Sequence, residues 1–306
     1  MTDQTTGQSS GLNDNLRGAG LMAGSMAAFA FNDAMIKDVV THMPLAEAVV
    51  LRSVLATLLL LFLAIRFGQF RFDFPRRDWG LVALRSMAEI GMTWFFLRAL
   101  AAMPLANLHA VMQALPLTVA LAAALFLREP LGWRRFAAIA VGFVGVMLII
   151  RPGPDGFGPG TLNGLAAVGF ITLRDLIARR LSPQVPSLAA AFITAAVITV
   201  FFAVQGLTEP WLMPNTTSIL LIVGAAVAIF FGYLLSLMTM RVGDIGFSAP
   251  FRYTSLIIAL ILGWVFYGEW PEMLTFVGAG IVVATGLFTI YRERQIARRD
   301  AAETKR

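Results

Sequence analysis

Residues 114–150 read ALPLTVALAAALFLREPLGWRRFAAIAVGFVGVMLII: a long apolar run, a short connector with Glu129, and a second apolar run that contains glycines. The same pattern returns at residues 253–290, which read YTSLIIALILGWVFYGEWPEMLTFVGAGIVVATGLFTI, with Glu269 in the connector. The two glutamates lie 140 positions apart. Apolar runs of this length can cross a bilayer as helices. A pattern that occurs twice at a fixed offset indicates an internal repeat.

The composition predicts an all-α membrane protein. Of the 306 residues, 58% are hydrophobic and 14% are charged, whereas soluble domains carry about 25% charged residues. Most of the chain falls into apolar runs of about 18–24 residues, the length of a transmembrane helix. The sequence lacks the short alternating strands of an outer-membrane barrel.

Charge and motifs exclude several other functions. The net charge is +6, but the basic residues lie in short connectors and at the C-terminus, where membrane orientation places them. No basic face with interleaved aromatic residues indicates nucleic-acid binding. The chain has no cysteine, which excludes disulfides and thiolate metal sites. It also lacks a P-loop, an HExxH motif and a nucleophile elbow, so we expect neither an enzyme, nor a cofactor, nor a metal.

Hydropathy predicts ten transmembrane helices, roughly at 18–40, 45–65, 79–100, 104–127, 133–150, 161–179, 185–204, 218–240, 245–267 and 273–291. If the N-terminus is cytoplasmic, 17 of the Lys and Arg residues lie inside and 3 outside. This asymmetry predicts that both termini are cytoplasmic. The polar residues 1–17 are predicted to be a disordered cytoplasmic tail, and residues 292–306 a basic cytoplasmic tail.

The helices divide into two repeats of five, at 18–150 and 161–291, joined by the Pro/Gly-rich segment 151–160 as a periplasmic hinge. Because five is odd, the second repeat is inverted relative to the first. Chance similarity of Leu/Ala-rich segments is the alternative, but the fixed offset also aligns Gln113 with Tyr253. Inverted repeats are typical of secondary transporters, which bind substrate near the midplane between the repeats.

The chain resembles the drug/metabolite transporter superfamily, in particular its EamA-type ten-helix members. The resemblance rests on FFLRALAAMPLANLHAVMQALPL (95–117), LFLREPLGWRRF (125–136), APFRYTSLIIALILGWVFYGEWP (249–271) and Arg52. It implies a transporter or exporter of small metabolites in a bacterial inner membrane. Within the family the chain looks most like amino-acid exporters, including the aromatic branch. One departure is that Arg and Pro flank Glu129, where the family usually has Gly-Glu-Arg.

Polar residues within spans are costly in free energy and therefore mark candidate sites. The candidate substrate-binding residues are Asn32, Asp33, Glu89, Trp94, His109, Gln113, Arg252 and Tyr253. The candidate structural or coupling residues are Arg52, Arg85, Pro116, Arg174, Asp175 and Pro250.

The charged candidates allow a binding role and a structural one. Arg252 suits a substrate carboxylate through paired hydrogen bonds, or it snorkels to the membrane surface. Glu89 lies four residues after Arg85, so it either pairs with that arginine on one helix face or lines a cavity. Asp33 is a second candidate for a substrate amine. Trp94 is a candidate stacking wall.

Other candidates carry similar alternatives. His109 is a proton relay, because imidazole titrates near neutrality, or it is only hydrogen-bonded. Gln113 is a ligand or a link between helices. Pro116 should bend its helix, because proline lacks a backbone N–H. Arg174 and Asp175 either occupy the inverted equivalent of the Asp33 region or only mark a cytoplasmic helix end.

Other charged residues within or near the spans are not expected to bind substrate. Lys37 and Asp38 are predicted to be solvated near the outer surface, and Arg52 is expected to pair with Glu47.

We therefore expect a secondary transporter, an exporter of small metabolites such as amino acids, that works by alternating access. Its partners would be the substrate and the lipid bilayer, with the proton as a candidate coupling ion. The alternatives are a transporter of nucleotide-like or cationic drug-like solutes, a passive pore and a membrane enzyme.

Overall fold

The computed structural model describes residues 5–127, 132–151, 158–239, 242 and 245–303, and every regular element in these residues is helical. Glu129 and most of the hinge predicted at 151–160 lie outside them. The helices are α1 (Thr5–His42), α2 (Leu45–Arg66), α3 (Arg76–Ala102), α4 (Leu105–Met112), α5 (Leu115–Leu127), α6 (Trp133–Ile150), α7 (Pro159–Ala178), α8 (Ser187–Gly206), α9 (Thr216–Thr239), α10 (Ile245–Ser248), α11 (Thr254–Tyr267) and α12 (Met273–Glu303). A 3₁₀ turn, Ala249–Tyr253, joins α10 to α11.

The helices confirm the predicted fold class. Within the described residues, nine stretches of helix are long and apolar enough to cross a membrane, and Phe136–Ile150 is a shorter apolar tenth. The fourth crossing consists of α4 and α5, and the ninth consists of the 3₁₀ turn and α11. The orientation of the termini stays a prediction.

The first helix extends beyond its membrane-crossing part. It begins at Thr5 and runs without interruption to His42, whereas the membrane-crossing part begins at Asp14; the disordered tail at residues 1–17 stays a prediction. No proline occurs between Thr5 and His42, so no position in the segment lacks the N–H that continues the helix. At the other end, α12 continues beyond its apolar part to Glu303.

The helices of the two halves pack across each other. If α1 to α6 correspond to α7 to α12, then α1 matches α7 and α3 matches α9. The pairs α1–α9 and α3–α7 both pack closely, as a twofold relation between the halves requires. The corresponding helices α2 and α8 also pack together, as do α6 and α12. Each of these pairs joins one half to the other.

Two glycines allow the close approach of α6 and α12. A Cβ added at Gly145 would lie 2.9 Å from the Gly278 carbonyl oxygen. A Cβ added at Gly280, in contrast, would meet nothing within 4 Å. The crossing of α6 and α12 therefore depends on the missing side chain at Gly145 and not on helical glycines in general.

This difference gives a matched pair of variants. We expect Gly145→Ala to destabilise the protein by about 1–3 kcal/mol, because the new methyl group forces the two backbones apart. Gly280→Ala should leave the stability unchanged or raise it by up to about 1 kcal/mol, since alanine favours helix. The midpoint of thermal unfolding in detergent measures both. Equal midpoints for the two variants would contradict the crossing.

Candidate functional site

Two membrane-crossing helices are interrupted at corresponding positions. In the fourth crossing, α4 ends and α5 begins on either side of Gln113 and Ala114, just before Pro116, which cannot donate a backbone hydrogen bond. In the ninth crossing the 3₁₀ turn ends at Tyr253, 140 positions after Gln113. The sequence predicted a bend at Pro116 but did not predict the 3₁₀ turn. Pro250 lies near the start of that turn. Interrupted helices leave backbone groups free near the midplane.

A cavity of about 460 Å³ lies at these interruptions. Its wall includes Gln113, Asp175, Arg252, Tyr253 and Ser255. The Gln113 amide donates a 3.0 Å hydrogen bond to the Ser255 hydroxyl, which links the two interrupted helices. Tyr253 is buried, and its hydroxyl has no hydrogen-bond partner among the described residues. Small-molecule sites have volumes of this order.

The cavity lies toward one end of the bundle, which we call the open end. Its wall comes from Met26 near the middle of α1, Ala178 in the last turn of α7 and Thr289 near the end of the membrane-crossing part of α12. Toward the other end, the closed end, α1, α3, α4 and α8 share a hydrophobic cluster that contains Ile36, Leu100, Leu105, Leu108 and Phe202. On the predicted orientation, the open end faces the cytoplasm.

A buried His–Asp pair lies beyond the cavity. His109 Nε2 is 3.3 Å from Asp33 Oδ2, with side chains 6% and 14% exposed. The Asn32 amide donates a 2.9 Å hydrogen bond to Asp33 Oδ1. Although His109 Nε2 lies this close to Asp33, it makes no regular hydrogen bond within the described residues. The same is true of Asn32 Oδ1. Three of the residues singled out in the sequence are thus brought together.

A second charged group joins α3 to α7. Arg174 Nη1 lies 3.4 Å from both carboxylate oxygens of the buried Glu89. The same guanidinium donates a 2.8 Å hydrogen bond from Nε to Asp175, its chain neighbour. Asp175 lines the cavity. The charged group therefore connects the cavity wall to the interface between the halves.

Two expectations about α3 differ from the structure. Arg85 does not pair with Glu89; its Nη1 donates a 2.7 Å hydrogen bond to the Thr194 hydroxyl on α8. Trp94 does not line the cavity. Its ring stacks on Phe202 with centroids 6.0 Å apart, and the Arg98 guanidinium lies 4.3 Å from the ring centroid. Packing between helices, and not spacing along α3, decides these contacts.

A buried ion pair fastens the closed end. Lys37 Nζ lies 2.8 Å from Glu269 Oε1 and donates a 2.6 Å hydrogen bond to the Met103 carbonyl. Glu269 Oε2 accepts a 2.8 Å hydrogen bond from the Leu105 N–H at the start of α4. The prediction that Lys37 is solvated is wrong, because the connector after α11 covers it. The Glu269 carboxylate thus joins the second half to the first.

Two residues near the centre carry charge or polarity without a fixed partner. Arg52 lies close enough to Asp33 to interact electrostatically, and its Nε has no hydrogen-bond partner among the described residues. Its expected partner Glu47 instead accepts a 2.9 Å hydrogen bond from the Leu212 N–H. Tyr233 on α9 lies within electrostatic reach of Glu89, Arg174, Arg85 and Arg52. Sequence analysis missed Tyr233, although a tyrosine inside an apolar span was a usable signal.

Comparison with known proteins identifies the family. The sequence model of the EamA-like transporter family matches residues 16–151 and 158–291. The chain is a member of the EamA-like transporter family. It is therefore a transporter of small metabolites and not an enzyme, and its apolar helices make it a multi-pass protein of the bacterial inner membrane.

Curated EamA-related proteins differ in substrate. An S-adenosylmethionine uptake transporter of Rickettsia conorii is 26% identical over 93% of this chain and 96% of its own length. A pseudopaline exporter of Pseudomonas aeruginosa is 25% identical over 90% of this chain and 97% of its own length. A riboflavin transporter of Vibrio cholerae is 29% identical over 62% of this chain and 64% of its own length.

A solved crystal structure shares the fold. It superimposes with a TM-score of 0.65 at 18% identity, and the match covers 91% of this chain and 98% of that chain.

Proposed function

We propose that this EamA-family protein exports zwitterionic metabolites, amino acids among them, from the cytoplasm. The observation that carries the proposal is the cavity at the two helix interruptions, with Arg252 from the interrupted ninth crossing on its wall, together with Arg179 and Asp175 from the end of α7, and with the Asp33 carboxylate beyond it. A zwitterion offers one group of each sign. The name of the Rickettsia relatives' substrate, S-adenosylmethionine, also includes an amino acid.

Within the cavity, Arg252 would bind the substrate carboxylate through two parallel hydrogen bonds. Arg252 is exposed, and it is held at the end of the 3₁₀ turn. Asp175 also lines the wall, but its carboxylate already accepts a hydrogen bond from Arg174. Asp33 also accepts a hydrogen bond, but from the neutral Asn32 amide and not from a guanidinium, so the substrate amine would turn toward Asp33. Gln113 and the Tyr253 side chain would complete the wall, although the Tyr253 hydroxyl itself is buried against Gly286 on α12.

Transport would proceed by alternating access. The halves at 18–150 and 161–291 would rock about the hinge at 151–160, so that the cavity opens to one side at a time. The closed end is fastened by the Lys37–Glu269 pair, which links the two halves. If the termini are cytoplasmic, the described conformation loads substrate from the cytoplasm, as an exporter requires.

Reconstitution in liposomes tests this function. Purified protein should catalyse saturable exchange of radiolabelled phenylalanine or methionine against the same unlabelled amino acid inside the vesicles. A passive pore would equilibrate the label without such counterflow. Loading of inverted membrane vesicles, compared with right-side-out vesicles, tests the direction. Counterflow with riboflavin but with neither amino acid would favour another substrate class.

Arg252 is the residue whose loss should weaken binding most directly. We expect Arg252→Ala to raise the half-saturating amino-acid concentration by about 10- to 100-fold, the equivalent of a lost charge-assisted hydrogen bond of about 1.5–3 kcal/mol. Arg134→Ala is the matched control, because this arginine lies against the Trp133 ring outside the cavity. Equal half-saturating concentrations for the two variants would contradict the assignment.

A further inference from the structure

One face of α1 passes three sites in succession: the cavity wall, the Asp33–His109 pair and the Lys37–Glu269 pair. Met26, Asp33 and Lys37 are seven and four residues apart, so their side chains project from the same side of the helix. Met26 lines the cavity, Asp33 pairs with His109, and Lys37 pairs with Glu269 at the closed end.

The fourth crossing passes the same three sites. Gln113, His109 and Leu105 are spaced by four residues. Gln113 lies in the cavity wall, His109 faces Asp33, and the Leu105 N–H binds Glu269. The Asp33–His109 pair therefore lies between the cavity and the closed end, about 6 Å from Gln113 along the fourth crossing and about 10 Å from Met26 along α1.

The pair is buried but incompletely bonded. His109 Nε2 approaches Asp33 within 3.3 Å yet forms no regular hydrogen bond within the described residues. A purely structural buried pair would be expected to satisfy its polar atoms, because an unsatisfied buried group costs free energy. An imidazole next to a carboxylate instead suits a site that is occupied in only part of a cycle.

Several charged or titratable groups surround this pair on the neighbouring helices. They are Arg52 on α2, Glu89 on α3, Arg174 and Asp175 on α7, Tyr233 on α9, Tyr253 before α11, and the Lys37–Glu269 pair. Of these, Arg52 interacts with Asp33 itself. The Arg52 cation already offsets part of the Asp33 charge, so the site cannot hold two further positive charges together.

We propose that the Asp33–His109 pair is the proton-binding site that couples substrate export to proton entry. The inference rests on the proposed function. His109 takes one proton from water at the closed end once that end has opened, and the resulting imidazolium is held by Asp33. A substrate ammonium that reaches Asp33 from the cavity repels the imidazolium, and the proton leaves to the cavity side. On loading, an O–H bond of hydronium breaks as the His109 N–H bond forms, and on release the N–H bond breaks as water takes the proton back as hydronium.

The consequence is an exchange of one proton for one substrate molecule. Two cations next to one carboxylate repel each other. The protonated His109 side chain and the substrate amine therefore pair with Asp33 in turn. Each conformational change therefore carries one or the other, as an antiporter requires.

Coupling is measured in liposomes as the ratio of phenylalanine transport with a pH gradient to transport at equal pH. We expect a ratio of about ten or more in the wild type, with proton movement reported by an entrapped pH-sensitive dye. In His109→Gln, whatever its rate at equal pH, the ratio should fall to about one. His42→Gln is the control, because this exposed second histidine bonds only at the end of α1 and should leave the ratio unchanged.

The outcomes separate this proposal from the proposed function. Wild-type counterflow that does not respond to the gradient would overturn the coupling and leave the transport function intact. Absence of counterflow with any amino acid would overturn the function itself. A gradient response that survives in a folded His109→Gln variant would overturn the assignment of the site.

A measurement on the wild type alone covers the case in which the variant does not fold. Phenylalanine binding by titration calorimetry, in buffers of different ionisation enthalpy, counts the protons released. We expect a release of up to one proton per phenylalanine at a pH between about 5 and 8. No proton release at any pH between about 5 and 8 would overturn the proposal.

Discussion

Replacing Glu269 with glutamine is expected to open the closed end of the protein. The change removes the negative charge that Lys37 faces at 2.8 Å and leaves a buried ammonium without a carboxylate. Breaking a buried ion pair in this way costs about 3–5 kcal/mol. The penalty applies only while the closed end is closed. When that end opens to the other side of the membrane, water reaches Lys37 and solvates its charge. The ratio of the two conformations should therefore shift by about two to four powers of ten.

Side-specific labelling measures this shift. The chain has no cysteine, so a single cysteine in place of Met112 in the cavity wall reports access on its own. A membrane-impermeant maleimide should label this position from the open end in the otherwise unchanged protein. In the Glu269→Gln variant, labelling from the closed end should become the faster reaction.

A matched control lies three residues later in the same connector. Glu272 also forms an ion pair, with Arg151, but its side chain is 77% exposed. Because exposed pairs contribute little, Glu272→Gln should leave the labelling pattern as it is. The double variant Lys37→Met with Glu269→Gln should return toward closure, since it leaves no buried charge unpaired. Unchanged labelling in Glu269→Gln would show that the pair does not hold this end closed.

The sequence predicted the membrane-crossing helices because its apolar stretches are long enough to cross a bilayer and longer than those typical of soluble domains. It also placed an interruption near Pro116, since proline has a direct effect on the backbone. The second interruption was harder to foresee. Tyr253 aligns with Gln113, but Pro250 lies in the first turn of the 3₁₀ segment, where proline is also compatible with the start of a regular helix.

Charged partners were less predictable than helices. Spacing along one helix pairs Glu89 with Arg85, yet the partner that the fold provides is Arg174, 85 positions away. Lys37 was judged solvated from its depth in the span, but Glu269, 232 positions later, covers it. Such contacts depend on the rotation of each helix about its axis, which local sequence does not specify.

The Asp33–His109 pair was predicted in part: the sequence indicated the two residues but not their contact. Asp33 and His109 were each chosen because a polar side chain within a span is costly. Their contact was not predicted, because nothing in the spacing relates α1 to α4. A family alignment of sequences would test whether the two positions vary together.

Removal of the Glu89 carboxylate is the second change for which we expect a large effect. Glu89 is buried, and both of its oxygens lie 3.4 Å from Arg174 Nη1 on α7. Glu89→Ala should destabilise the protein by about 1.5–3 kcal/mol, because Arg174 loses one carboxylate but keeps its 2.8 Å contact with Asp175. Thermal unfolding in detergent measures the change. Asp175→Asn removes a carboxylate from the same arginine at a side chain that is 33% exposed, and it should cost less than about 1 kcal/mol.

A double variant decides between the two roles that the sequence allowed for Glu89. When Arg174→Met accompanies Glu89→Ala, no buried charge remains unpaired, so most of the lost stability should return. If Glu89 only joins α3 to α7, the half-saturating concentration of phenylalanine in this variant should lie within about threefold of the wild-type value. We expect this result, because the Glu89 side chain is only 6% exposed and faces Arg174. A rise of 10-fold or more in a variant of restored stability would instead place Glu89 among the substrate contacts, as an alternative partner for the amine.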